Sequence, residues 1–290
     1  MEKAYLLLVH KDPDHLIRLI GKLDDGSSRF FIHIDLKAVP LFSNALTILK
    51  EKITLINSIE LSWGGYSIVH ATIRGLRKIK LAGKFDRIIL LSGQDYPIKN
   101  NEAINAFLEN SKFSNFIEYF TIPNYEKWDP RGGLYRIDKY FMGLKTVQVF
   151  QAKTLNMLSM LFPFFRRKHP GDLQAYAGSQ WWIIDDYALN YLLDFIDTNP
   201  DYLSFHRFTF APDEVFFHTI LLNTTDRRLK NSIQNDHLRY MIWKTKEQAS
   251  PLIIPTTNLT DLLRSPTLFA RKFESGTSDK VLALIDQNIG

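Results

Sequence analysis

The apolar run from Tyr5 to Val9 is unbroken, ends in a polar turn, and is followed by Leu16, Ile17, Leu19 and Ile20 at helical spacing. Strand, loop and helix therefore succeed one another at the start of the chain. The same alternation recurs, with strands predicted at Phe30 to Ile34, Ile53 to Ile56 and Arg87 to Leu91 and helical stretches between them. Alternation of this kind predicts an α/β fold with a mostly parallel sheet flanked by helices. Ligands of open parallel sheets sit beyond the carboxyl ends of the strands, so His10, Lys11, Asp35 and Gly93 to Asp95 are expected to line one crevice. Any one of these residues alone reads as an ordinary polar loop; their convergence is what carries the expectation.

Later in the chain the pattern loosens. A strand is predicted at Asn115 to Tyr119, followed by a Pro-, Gly- and aromatic-rich loop from Pro123 to Tyr135. Trp128, Tyr125 and Tyr135, with Glu118 and Lys127 nearby, suit a loop on which a sugar ring stacks and hydrogen-bonds; a surface loop pinned by its own aromatics is the competing reading. Gly178 to Trp182 reads as a buried aromatic strand, with one of Trp181 and Trp182 in the core by alternation. Pro212 suits a first helical position, which projects Asp213 and Glu214 from a first turn. Carboxylates placed there fit a general base, and equally they complement a helix dipole. His218 lies one turn further on the same face, where it is in reach of Glu214 or simply structural. Leu155 to Phe165 is strongly apolar and runs into Arg166, Arg167, Lys168 and His169, a combination that fits either packing on the sheet or peripheral contact with an anionic membrane through residues 155–169.

At 290 residues and 45% hydrophobic content the chain has material for a sizeable core, and no repeat or linker-like stretch divides it, so a single domain spanning 1–290 is expected. The absence of cysteine excludes disulfides and thiolate metal sites. The charge of +5 suggests an anionic partner without naming it. Apart from Arg166 to Lys168 the basic residues are dispersed, which argues against nucleic acid. The first residues lead straight into a short strand rather than a leader or a membrane span, which places the expected location in the cytoplasm, at most peripheral to the inner face of the membrane.

Several of these fragments together resemble the core 2/I-branching family of β-1,6-N-acetylglucosaminyltransferases, which includes peptide O-xylosyltransferases. They are His10 and Lys11; His33, Ile34 and Asp35; Trp63 with Ser67; Ser92 to Lys99; Gly178 to Trp182; Pro212, Asp213 and Glu214; and Leu268 to Phe273. They occur in the family's order and cover nearly the whole chain. The resemblance implies a GT-A-like fold and an inverting transfer of N-acetylglucosamine, or alternatively xylose, from a UDP-sugar to a glycan or lipid-linked saccharide without a metal ion. By the same matching Glu214 is the general base. Arg239 and Lys272, with Arg271 beside them, balance the diphosphate, while His10, Asp35, Trp63 and Asp95 complete the donor site. Glu118, Lys127 and Trp182 fall on the acceptor side. Residues 1–110 then form the nucleotide-sugar half and 111–290 the acceptor and catalytic half. The only carboxylate beside Gly93 and Gln94 is Asp95, a poor divalent site by itself, and Asp12 of the Asp12-Pro13-Asp14 run is expected to cap a helix. A glycoside hydrolase remains the competing class; it needs two carboxylates flanking one bond and no diphosphate cations.

Overall fold

The computed structural model describes all residues except 130, 246, 247 and 249. Strand β1 (Lys3–Val9) is buried along its whole length and lies between β2 (Ser28–Ile34) and β4 (Arg87–Ser92), with β3 (Ile53–Ile56) at the edge beyond β2. Beyond β4 come β9 (Trp182–Ile184), β6 (Asn115–Ile117) and β10 (Ile233–Gln234), giving the order β10-β6-β9-β4-β1-β2-β3. Only β9 runs against the others, pairing antiparallel with both β4 and β6. The expected mostly parallel sheet is present. The expected strand at Asn115 to Tyr119 stops at Ile117.

Alternation along β1 sends Tyr5, Leu7 and Val9 to one core and Ala4, Leu6 and Leu8 to the other. The first core is covered by α1 (Pro13–Leu23), α2 (Ser43–Leu49), α4 (Asn101–Asn110), α11 (Leu259–Arg264) and α12 (Asp279–Ile289). The second is covered by α3 (Ser67–Ala82), α7 (Asp186–Thr198), α9 (Phe216–Leu222) and α10 (Arg227–Asn231). Each such buried leucine or isoleucine contributes about 1.5–3 kcal/mol. Asp12 caps α1 as expected, its Oδ1 accepting the amide of His15 at 3.2 Å, with Pro13 opening the helix.

A small sheet of order β11-β12-β5, built from β5 (Asp95–Pro97), β11 (Arg239–Met241) and β12 (Phe269–Arg271), lies over the carboxyl end of β4. It changes the expected crevice: Ser92 to Pro97 are all buried beneath it, and the Phe273 amide donates to the Gln94 carbonyl at 2.9 Å. Strands β7 (Phe120–Thr121) and β8 (Tyr176–Ala177) form a two-stranded flap. The segment between them carries α5 (Tyr135–Asp138) and α6 (Thr146–Leu161); α8 (Pro200–His206) follows α7.

Two local expectations need correction. The strand expected at Gly178 to Trp182 begins only at Trp182. Pro212 to Glu214 form one separate 3-10 turn, because Val215 (φ −128°) interrupts the helical path before α9 begins at Phe216. Ala211 enters that turn with φ of 46° while its amide donates to the Gly64 carbonyl at 2.7 Å, so the turn is fixed from outside its own helix.

Candidate active site

The ends of β1 and β2 meet where the Asp35 amide donates to the Val9 carbonyl at 2.8 Å, which sets His10, Lys11 and Asp35 side by side. Asp35 Oδ1 accepts the amides of Lys37 (3.2 Å) and Leu61 (3.3 Å). His33 is buried, and burial pushes its imidazole down to about 4; neutral, its Nε2 accepts the Ile59 amide at 3.1 Å. These bonds fasten residues 59–61 to the tip of β2 and lead the chain to Trp63, which is 55% exposed and meets Phe210 edge-on at 5.6 Å.

Opposite them, β12 delivers Arg271 and Lys272. Arg271 lies 4.2 Å above the Trp181 ring and forms an ion pair with Asp95 (Nη1 to Oδ1 3.3 Å) that leaves its buried Nε without a hydrogen-bond partner among the described residues. Burial lowers the Arg271 guanidinium. Burial first, then the charges of Lys11 and Arg271, lower the Lys272 ammonium, whose Nζ donates to Ser250 Oγ at 3.1 Å. His10 is lowered by desolvation and then by Lys11, with Arg271 and Lys272 adding to the effect. Lys11 itself pairs with Glu274 at 2.5 Å. Lys11 and Arg271 thus add to the cost of the Lys272 charge, a cost that a bound anion would relieve. A cavity of about 460 Å³, lined in part by Lys272, Ser250, Ile242, Pro251 and Leu252, adjoins it.

Asp95 and Arg239 were expected to face the donor, and neither reaches the surface of the crevice. Asp95 is wholly buried, accepting from the Ser92 amide at 3.0 Å and holding Arg271. Arg239 is also buried; it donates to the carbonyls of His237 and Leu90 (2.7 Å to the latter), and burial lowers it to about 10. The physical reason is where its partners lie: Arg239 opens β11 opposite Phe269, and its guanidinium is spent on the Leu90 carbonyl of β4 and the His237 carbonyl.

The carboxylate side is built around the 3-10 turn. Glu214 Oε2 accepts from Arg136 Nη1 at 2.6 Å. Arg136, supplied by α5, lies 3.7 Å from the Trp128 ring centre and 5.3 Å from that of Phe210. Burial alone would lower the Arg136 guanidinium, but Glu214 and Tyr135 together outweigh it and the group is raised overall. Asp213 is buried with Oδ1 unpartnered among the described residues; burial and then the Glu214 charge push its carboxyl up to about 7. His218 does not pair with Glu214: its Nε2 bonds to the Ser179 carbonyl at 2.9 Å, and burial pushes it down to about 4.

Glu118 and Lys127 do meet, Nζ to Oε1 at 3.4 Å, with His237 3.7 Å from the other Glu118 oxygen. Their loop is pinned by Trp128, whose ring packs edge-on to Phe120 at 4.9 Å and under Arg136, while Tyr125 stands 71% exposed. Trp182, expected on the acceptor side, is 1% exposed and packs on Phe217 at 5.7 Å; it opens the central strand β9 and belongs to the core. Trp181, one residue earlier, is the ring that meets Arg271.

The segment 178–181 joins the two sides. The Gly178 amide donates to the Glu214 carbonyl at 2.9 Å, and Trp181 supports Arg271. Three residues of chain span at most about 11 Å, so this segment keeps the backbone of the Glu214 turn and Arg271 on the same side of the molecule. Sequence reasoning missed Arg136, which lies 78 residues before its partner.

The fold and site define an α/β protein with one carboxylate edge and one cationic edge. A sequence profile of the Core-2/I-Branching enzyme family matches residues 3–260, and the chain belongs to that family. It is 26% identical to xylosyltransferase 2 of Rattus norvegicus over 98% of this chain and 33% of the relative, and 22% identical to xylosyltransferase 1 of Homo sapiens over 98% and 30%. The chain spans about a third of the length of the curated relatives it matches. Among solved structures, mouse xyloside xylosyltransferase 1 in its apo form aligns over 95% of this chain and 99% of that one, at 11% identity and a TM-score of 0.39.

Proposed function

We propose that the protein is an inverting glycosyltransferase that moves a sugar from a UDP-sugar to an acceptor hydroxyl without a metal ion. The observation that carries this reading is the bridge 178–181, which has the Glu214 carbonyl bound at one end and Arg271, neighbour of Lys272, over Trp181 at the other. In the reaction the acceptor oxygen attacks the anomeric carbon, the bond to the UDP oxygen breaks, and Glu214 takes the acceptor proton while the cations receive the charge left on the diphosphate. Arg136 positions Glu214 and is not itself a reacting group. Asp95, the carboxylate standing nearest to where a metal ligand is needed, is already committed to Ser92 and Arg271, which supports cations rather than a divalent ion as the counter-charge. Asp35, His10 and Trp63 are the nucleoside-side contacts, and Glu118, Lys127 and Tyr125 the acceptor-side ones. The first 110 residues then serve the donor and the remainder the acceptor.

For the donor sugar, the relatives named xylosyltransferases support UDP-xylose at least as well as the UDP-N-acetylglucosamine expected from the sequence. The acceptor is a glycan or lipid-linked saccharide. Calorimetric titration of UDP, UDP-xylose and UDP-N-acetylglucosamine, each with excess EDTA and again with manganese, tests the proposal. Binding of UDP that survives EDTA is expected, with the tighter sugar nucleotide naming the donor. Binding seen only with manganese would overturn the cationic counter-charge, and free sugar released from a glycoside without any UDP affinity would point to a hydrolase.

A further inference from the structure

Helix α6 is inside out for a helix of a water-soluble surface. Its fully buried residues are small, Ala152 and Ser159, and Asn156 donates to and accepts from the Tyr140 backbone at 3.0 and 2.7 Å. Of its large apolar residues, Val149, Leu155 and Leu158 are half-buried, while Val147, Phe150, Met157, Met160 and Leu161 are exposed. Of the 19 large hydrophobic side chains exposed among the described residues, eight lie between 144 and 164: Leu144, Val147, Phe150, Met157, Met160, Leu161, Phe162 and Phe164. Phe164 is 91% exposed. Packing of this segment on the sheet, one of the two readings of its sequence, is not what the structure shows.

Its charge is as one-sided as its apolarity. From Lys139 to Gly171 there are six lysines and arginines and no aspartate or glutamate. Without that stretch the chain's 30 remaining basic residues fall one short of its 31 acidic ones, so the entire positive excess of the protein resides there. Arg167 is not available to a partner, since it donates to the carbonyls of Lys139 (2.6 Å), Arg136 (3.2 Å) and Phe205 (2.7 Å). Lys145, Lys153, Arg166 and Lys168 are exposed around the apolar patch. No helix among the described residues is long and apolar enough to cross a membrane.

We propose that the face formed by α6 and the Pro163–Phe165 turn docks on an anionic lipid bilayer, with the aromatic and methionine side chains entering the acyl boundary and the four exposed cations meeting the headgroups. A protein partner of ordinary composition accounts for the apolar area but not for a cationic stretch that carries no acid from Lys139 to Gly171, whereas a bilayer surface suits both. The contact of Arg167 with Arg136 fastens this face to the residue that holds Glu214, so docking places the carboxylate edge of the site near the membrane surface. The binding step stands on exposure and charge alone and does not depend on the proposed reaction.

The test is co-sedimentation of the full chain with vesicles of phosphatidylcholine alone and of phosphatidylcholine with phosphatidylglycerol at 7:3, in low and high salt. Binding to the anionic vesicles at least tenfold stronger than to the neutral ones, weakened by salt, is expected. The double variants Phe150→Ser/Phe164→Ser and Lys153→Glu/Lys168→Glu should each reduce it about tenfold or more, while circular dichroism and UDP binding stay at the parent level. Failure of the parent to bind anionic vesicles overturns the proposal, as does binding that neither variant alters. So does a concentration-dependent dimer, seen by sedimentation velocity, that Phe150→Ser/Phe164→Ser abolishes while vesicle binding is absent. UDP binding lost in every form would instead count against the proposed reaction and leave the docking result readable.

Discussion

The two edges of the site solve opposite electrostatic problems. At the carboxylate edge, charge is matched: Glu214 has Arg136 at 2.6 Å, and Asp213, the carboxyl beside it, is pushed toward its neutral form by burial and by Glu214. At the cationic edge charge is left over: burial raises the cost of the Lys272 charge, and Lys11 and Arg271 add to it. The first arrangement holds an orientation with nothing bound; the second becomes favourable only when an anion arrives. A transferase needs this asymmetry, because the base must be aligned before the acceptor arrives, whereas the counter-charge for the leaving group is of use only while a donor occupies the site.

The comparison breaks most sharply at Glu214. Glu214→Gln should cut transfer about 1,000-fold while the dissociation constant for UDP moves by less than about threefold. Steady-state turnover beside calorimetry reads both, and near-normal turnover would move the base elsewhere. Next in size is Arg239→Ala, which tests whether that arginine belongs to the cationic edge or to the scaffold under it. Loss of about 3 kcal/mol in urea denaturation, with UDP binding intact in the folded fraction, is expected from carbonyls left unpaired at Leu90 and His237; a large loss of UDP affinity without destabilisation would restore it to the site. Asp213 sharpens the other edge. Its carboxyl is raised from 3.8 to about 7, so the folded state binds the proton more tightly than the unfolded one. The stabilisation this brings is full below 3.8 and lost as pH rises through 7. Relative to Asp213→Asn, the parent should therefore lose about 2 kcal/mol between pH 5 and pH 8, measurable by denaturation at the two values. Smallest is Lys272→Ala, expected to weaken UDP about tenfold and to flatten the salt dependence of binding.

The carboxyl-end loops of β1 and β2 were legible because each follows a fully apolar strand and each polar tip is local to it. The Asp12 cap was legible for the same reason. What the sequence hid depends on pairs far apart in the chain. Arg239 and Arg271 both lie on short strands and look alike in sequence; only their distant partners tell them apart, the Leu90 and His237 carbonyls for Arg239 and Asp95 with the Trp181 ring for Arg271. The strand reading of Gly178 to Trp182 put one tryptophan in the core by alternation, whereas both are buried, Trp182 opening the strand and Trp181 just before it under Arg271. Arg136 carried no local signal, because its partner Glu214 and its platforms Trp128 and Phe210 come from three separate segments.

Gly178 makes the site unequally open to change. A β-carbon there would lie 1.8 Å from the Glu118 carbonyl oxygen, well inside contact distance and against backbone that has no rotamer to offer. A directed-evolution library aimed at new acceptors has latitude at Tyr125 and Lys127, whose side chains stand in solvent, but it has a single permitted letter at position 178. Diversity can accumulate along the rim of the cleft while its hinge point stays invariant, so specificity is free to drift without the alignment of the base drifting with it.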